Sequence, residues 1–181
     1  MRNLILTFAI SLAFISCNKD DDQPSNPVDQ LPPATQTGAQ TIGCLVNGVP
    51  FTDSGVMNNF YQFIDGEYYL VINWEMNTSD GFRDGQIALR RISIQEGQTY
   101  TLNISDFIED DFTGGNGTYA TSINGVRQYE TNQTYTGQIH FTRFDTQNFI
   151  MSGTFEFVAK DIFSEETVSI TNGRFDLNFT N

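Results

Sequence analysis

The chain has 181 residues, enough for one domain and too short for two comfortable ones. Nine Lys and Arg against 22 Asp and Glu give a formal net charge of −13, which argues against a nucleic-acid partner, because a phosphate backbone is bound with an excess of positive charge. One His and two Cys leave little for metal chemistry or a disulfide framework, while 16 Phe and 7 Tyr suffice for an apolar core.

Arg2 opens the chain with a positive charge, and an apolar run follows from Leu4 to Ile15, interrupted by Thr7 and Ser11. That is the length of a signal-peptide core and too short to span a bilayer, which takes about 20 residues. Next stands Phe14-Ile15-Ser16-Cys17, which resembles the lipobox of bacterial lipoproteins. The resemblance implies that residues 1–16 are a lipoprotein signal peptide. It also implies that Cys17 receives a diacylglycerol and becomes the acylated N-terminus that holds the chain to a membrane. Phe14 departs from the strict pattern, which prefers Leu; the looser pattern of Bacteroidota lipoproteins accommodates it. The competing reading is an ordinary cleaved signal peptide with Cys17 incidental. Each acyl CH₂ buried in lipid contributes roughly 0.8 kcal/mol, so several chains together anchor stably.

Cleavage removes only Arg2 among the charged residues, leaving a net charge of −14. Asn18-Lys19-Asp20-Asp21-Asp22 resembles the acidic signal that sends Bacteroidota lipoproteins to the outer face of the outer membrane. As a plain charge run it is also a solvated, unfolded segment. Residues 23–40 are rich in Pro, Thr, Gln, Asn and Ser and poor in large apolar residues, so composition predicts disorder. Pro24, Pro27, Pro32 and Pro33 stiffen this stretch, whereas Pro50 is the single proline beyond it. Residues 17–40 are therefore expected to be a disordered tether and residues 41–181 the folded domain.

From Ile42 onward period-two alternation recurs between Asn-Gly, Asp-Gly and Gly-rich turns. Cys44–Val46 and Val49–Phe51 flank Asn47-Gly48, and Phe60–Ile64 and Tyr68–Met76 flank Asp65-Gly66, two hairpin signals. In the fourth of these segments Tyr68, Leu70, Ile72, Trp74 and Met76 share the face expected to meet the core. Along Gln86–Gln95 the apolar phase slips at Arg90-Arg91, and a β-bulge there would keep Ile87, Leu89, Ile92 and Ile94 all inward. Thr99–Ile104 is a further strand, and Ser105–Gly117 reads as an acidic, Gly-rich loop. Thr118–Ile123 and Val126–Glu130 flank Asn124-Gly125. In Thr134–Phe144, Tyr135, Ile139, Phe141 and Arg143 alternate with Thr136, Gln138, His140 and Thr142. Phe149–Lys160 places Phe149, Met151, Gly153, Phe155, Phe157 and Ala159 on one face. Val168–Thr171, Asn172-Gly173 and Phe175–Phe179 read as a last hairpin. The prediction is a single all-β, antiparallel, meander-rich domain of about ten strands, built as a two-sheet sandwich or a flattened barrel.

Four segments carry a wider resemblance: Leu31-Pro32-Pro33-Ala34-Thr35-Gln36-Thr37-Gly38, Gly43-Cys44-Leu45-Val46-Asn47-Gly48, Ser152-Gly153-Thr154-Phe155-Glu156-Phe157 and Ile170-Thr171-Asn172-Gly173-Arg174-Phe175-Asp176. With these the chain resembles a family of Bacteroidota outer-membrane lipoproteins of unknown function. The resemblance implies a lipid-anchored, all-β extracytoplasmic domain and carries over no catalytic or binding residue. The motifs also have a purely structural account in Asn-Gly turns and in glycines where strands approach closely.

The sequence contains no P-loop, G-x-S-x-G elbow, H-E-x-x-H or C-x-x-C. His140 falls by parity on the solvent face, which suits a surface histidine better than the base of a triad. Cys44 is left without an intrachain partner once Cys17 is lipidated and reads as a buried, inert thiol. Asp106, Glu109, Asp110 and Asp111 beside a Gly-rich turn are the candidate Ca²⁺ ligands, since Ca²⁺ takes six to eight oxygens from a flexible loop; a solvated acidic loop is the competing reading. Glu75, Glu156, Glu165 and Glu166 join these as candidates for a glycosidase carboxylate pair, although 22 acids produce such pairs by chance. Trp74 belongs to the core by parity, while Tyr61, Tyr69 and Phe144 fall outside the main core stripe.

These observations favour a lipid-anchored module on the outer membrane, facing outside, that binds an extracellular ligand or an envelope protein without catalysis and without nucleic acid. The expected recognition element is the loop Ser105–Gly117. The alternative is a carboxylate-dependent hydrolase acting on extracellular glycans; a third reading is a structural envelope component with a flat partner surface.

Overall fold

Asn47-Gly48 and Asp65-Gly66 close the first two hairpins in a computed structural model that describes residues 26–53, 58–105 and 112–181. Both residues of each dipeptide have positive φ (49° and 81°; 52° and 91°), as a two-residue turn matched to strand twist requires. They join β1 (Thr41–Val46) to β2 (Val49–Thr52) and β3 (Phe60–Ile64) to β4 (Glu67–Thr78). The chain continues through β5 (Gly81–Arg90), β6 (Thr99–Leu102), β7 (Gly114–Thr121), β8 (Arg127–Glu130), β9 (Gly137–Asp145), β10 (Ile150–Asp161) and β11 (Thr167–Asn178). Cys17 and the signal segment lie outside the described residues, as do Asp106, Glu109, Asp110 and Asp111.

All strand pairings are antiparallel, and the strands form one sheet in the order β2-β1-β11-β10-β8-β7-β5-β4-β3. β9 pairs with β10 over Ile150–Phe157, ahead of the short β8 contact at Lys160–Asp161, and β6 pairs with β9. The sheet folds over on itself like a sandwich and does not close into a barrel. Among the described residues one parallel bridge, Phe60 to Thr180, links the start of β3 to the chain just beyond β11.

The inner faces meet around Trp74, which is fully buried, with Phe51 and Phe155 at ring-centroid distances of 6.4 and 5.0 Å. Trp74 lies over Gly85, its cross-strand partner. A Cβ there would overlap the indole carbons Cε2 and Cζ2 and come 2.8 Å from Nε1. Leu70 and Ile72 are buried on the same face, and Tyr68 and Met76 pack against the core, as the alternation predicts. Tyr61 and Phe144 belong to this core too. Tyr61 is 8% exposed and stacks on Tyr68, and its edge-on contact with Phe144 (5.0 Å) draws both rings inward.

Several expectations are corrected. The segment after Leu89 is not a bulged strand. β5 ends at Arg90, Arg91 takes φ 61°, and its N–H donates to Tyr68 O at 2.6 Å, so the chain leaves the sheet. Ile94 still reaches the core, its N–H donating to the Tyr61 hydroxyl at 3.2 Å. Gly114 to Gly117 are not loop but the start of β7. A Cβ on Gly115 would run into Thr101 O and come 2.8 Å from Leu89, so glycine lets β6 cross closely. Phe149 precedes β10 at φ 56° and is 39% exposed.

Asn172-Gly173 is not a hairpin turn. β11 runs through it, paired with β10 on one side and β1 on the other, and the register shifts on both sides at this point. Only Asn172 has positive φ (53°). The dipeptide is a β-bulge, which adds one residue and sharpens the local twist. Gly173 makes room for Phe155, whose Cδ2 would lie 2.6 Å from a Cβ there.

Composition places residues 23–40 in a disordered tether, but from residue 26 onward the chain is a strap laid on the sheet. Asn26 Oδ1 caps a single 3-10 turn, Pro27–Gln30, by accepting from Val28 N at 3.2 Å. Leu31 is buried, and Pro32 crosses Gly43 so closely that a Cβ there would lie 2.8 Å from its Cδ. Thr35, Thr37 and Gly38 then converge on Asp176. A specific buried acceptor offsets the chain entropy that composition alone leaves unopposed.

Candidate ligand groove

The outer face of β6, β9, β10 and β11 carries polar side chains in register. One row runs Thr99–His140–Thr154–Arg174, and the next pairs Thr101 with Gln138 and Gln138 with Glu156, opposite the β11 bulge. Strand alternation places these side chains outward because Ile139, Phe155 and Phe175 between them fill the core. Between the rows lies an open groove of about 700 Å³, bounded by Thr99, Gln138, His140, Thr154, Glu156, Thr171, Asn172 and Arg174, with Ala34 of the strap at its border. A second hollow of about 330 Å³, sharing Gln138, Glu156 and Thr171, prolongs it toward Thr136, Val158 and Ser169.

The groove side chains are held by one another. Thr99 Oγ1 and His140 Nδ1 share a hydrogen bond of 3.0 Å, and Gln138 Nε2 donates to Glu156 Oε1 at 2.9 Å. Arg174 Nη2 reaches Val28 O of the strap at 3.4 Å. Donors, acceptors and charges of both signs thus stand on a four-stranded floor, together with apolar surface from Phe155 and Ala34, a surface that can hydrogen-bond a polar ligand.

Beside the groove the strap is clasped by Asp176, which is fully buried. Its Oδ2 accepts from Thr35 Oγ1 (2.6 Å), Thr37 N (2.9 Å) and Thr37 Oγ1 (3.2 Å). Its Oδ1 accepts from Gly38 N (2.7 Å) and Ser152 Oγ (2.8 Å). Burial alone would raise its pKa; the donors from Thr35, Thr37, Ser152 and Gly38 outweigh it and hold the carboxyl well below the usual range. Arg143 Nη1 donates to Gln36 O and Nη2 pairs with Asp145 at 2.8 Å, a second fastening. Three stretches distant in sequence, residues 31–38, 152–157 and 170–176, meet at Asp176, and Gly43 sits under Pro32.

His140 lies on the outer face, as parity requires, and is drawn into the groove by register. Glu156 joins it; Glu165 is taken up by Lys160 at 2.7 Å and Glu166 by Arg127 at 3.4 Å. Glu75 stands directly across from Asp84, whose carboxyl is pushed up by burial and then by the Glu75 charge. Cys44 is buried in the core, and burial pushes its thiol up to about 12, the Trp74 indole pulling slightly the other way. Among the described residues no group of three His, Cys, Asp or Glu is placed to hold a metal ion, and no helix is long and apolar enough to cross a membrane. Sequence reasoning missed Thr99, Thr154 and Arg174 as groove residues. Their outward parity was readable; their alignment depends on the pairing of β6 with β9 and of β10 with β11.

The structure thus defines an all-β sandwich-like domain with a polar groove on its outer face. Compared with known protein families, curated proteins and solved structures, the chain matches none.

Proposed function

We propose that the chain is a lipid-anchored outer-membrane lipoprotein, held at Cys17 and facing outside, whose domain binds an extracellular polar ligand without catalysis. The observation that carries the binding reading is the groove on β6, β9, β10 and β11: open, extended and lined by hydrogen-bonding side chains that neighbouring residues hold in place. Glu156 is the single carboxylate among the residues lining it, whereas glycoside hydrolysis takes two. The anchor reading rests on the lipobox-like Phe14–Cys17.

Two measurements test this. Metabolic labelling with a clickable palmitate should mark the wild type and not Cys17→Ala, and the variant should leave the membrane fraction; a variant that stays membrane-bound overturns the anchor. Thermal melts of the full chain over a panel of soluble glycans should show a shift of about 5–11 °C at a hundredfold excess over Kd, since such binding stabilises by about 2.7 kcal/mol. Thr154→Trp, which fills the groove from an exposed strand position, should abolish that shift. A shift that survives Thr154→Trp places the ligand elsewhere and overturns the groove.

One observation favours a second reading, a carboxylate-dependent hydrolase: the cross-strand pair Glu75 and Asp84, with one carboxyl pushed up, is the pattern of acid and base partners. Release of reducing ends from a glycan by the wild type, lost in both Glu75→Gln and Asp84→Asn, would establish it. Equal release by all three proteins, or none, would dismiss it.

A further inference from the structure

We infer that the groove takes a saccharide bearing a carboxylate, with that carboxylate seated on Arg174 beside His140; this rests on the groove being the binding site. The chain carries a large net negative charge, so an anion approaches it against the overall field and needs a local cation. Among the described residues four cations are matched by carboxylates: Arg91 to Glu67 at 2.6 Å, Arg127 to Glu166 at 3.4 Å, Arg143 to Asp145 at 2.8 Å and Lys160 to Glu165 at 2.7 Å. Arg174, on the wall of the larger hollow, has no carboxylate within ion-pair distance among the described residues. Among the described residues its guanidinium makes one hydrogen bond, the 3.4 Å contact to Val28 O. Asp176 is two residues along the same face of β11, but its oxygens already serve five donors.

A guanidinium presents a planar fork that matches a carboxylate with two parallel hydrogen bonds. His140 adds a ring nitrogen on the near side: Nδ1 is engaged with Thr99, and Nε2 has no partner among the described residues. Thr154 stands between His140 and Arg174 in register, offering a hydroxyl where the sugar ring would lie. Farther along, Gln138, Glu156, Thr171 and Asn172 supply amides, a carboxylate and a hydroxyl for ring hydroxyls. Glu156 stands one row on from Arg174, where the groove meets the adjoining hollow, so the negative charge of the ligand belongs on the Arg174 side. The adjoining hollow gives the site the length of more than one sugar unit.

The test is calorimetric titration of the full chain with trigalacturonic acid, its fully methyl-esterified form and a sulfated trisaccharide. The acid should bind at least tenfold more tightly than the ester, and Arg174→Gln should remove that difference while leaving the far-UV circular dichroism of the folded domain unchanged. Equal binding of acid and ester, both blocked by Thr154→Trp, would overturn the carboxylate and leave the groove standing. Binding that Thr154→Trp does not touch would overturn the groove itself. Tighter binding of the sulfated sugar would replace carboxylate by sulfate, and no binding of any of the three would overturn the inference.

Discussion

Replacing Asp176 by Asn tests the clasp with almost no change of shape. Each carboxylate oxygen accepts one backbone N–H, from Gly38 on one side and Thr37 on the other. Whichever way the Asn amide is turned, its NH₂ faces one of those N–H groups, so a buried donor is left without an acceptor. That costs about 1–3 kcal/mol, and the remaining bonds lose their charge assistance; a total of about 2–4 kcal/mol follows, less than a sum over five bonds because they share one group. For a chain of this length the melting temperature should fall by roughly 4–16 °C. The unfolded carboxyl titrates near 3.9 and the folded one below it. Its stabilisation is therefore complete above about pH 5 and is lost as pH falls through the depressed folded value. Asp176→Asn should lack this acid-side dependence. Hydrogen exchange followed residue by residue is the direct assay: the amides of Thr37 and Gly38 should lose protection in the variant, while those of Ile139 and Phe155 keep it. Unchanged protection at Thr37 and Gly38, with an unchanged melt, would refute the clasp.

Three further outcomes are expected. Gly85→Ala puts a methyl into the Trp74 indole and should cost about 3 kcal/mol or more; emission from this single tryptophan should shift red, and a native-like spectrum with an unaltered melt would contradict the packing. Cys44, held as a thiol by burial, should resist iodoacetamide at pH 8 until denaturant is added; complete labelling of the folded protein within minutes would show the core open there. Asp84→Asn relieves a like-charge cross-strand pair. The raised Asp84 carboxyl makes the native state lose stability as pH climbs through and above the ordinary carboxylate range. The variant should therefore melt higher than wild type at pH 7, by a few tenths to about 1 kcal/mol, and match it near pH 3. A wild type more stable than Asp84→Asn at pH 7 would refute the repulsion.

Turn chemistry made most hairpins legible. Asn47-Gly48, Asp65-Gly66 and Asn124-Gly125 each carry positive φ at both residues, a conformation these residue types favour from local sterics alone. The same dipeptide at 172–173 misleads because its role is set by partners on either side: β1 and β10 pair straight past it, and only Asn172 turns left-handed. Alternation located the core of β4 and the outward His140, since parity is a local property. The strap was illegible, because composition measures apolar content and cannot register that residue 176 supplies five acceptor contacts to residues 35, 37, 38 and 152. The groove was illegible for a similar reason. Thr99, His140, Thr154 and Arg174 are scattered over 75 positions of sequence and become neighbours only when the strand order is known.

The strap also sets a mechanical reach. With the chain held at Cys17, as proposed, the strap that lies on the domain begins at Asn26 rather than at residue 41. Nine residue steps span at most about 30 Å, against about 80 Å for a run reaching residue 40. A pull from the membrane side reaches the turn Pro27–Gln30 and the buried Leu31 first, and the bonds to Asp176 after them. The domain would ride close to the surface it is moored to, swinging about a fixed point on its own outer face beside the groove.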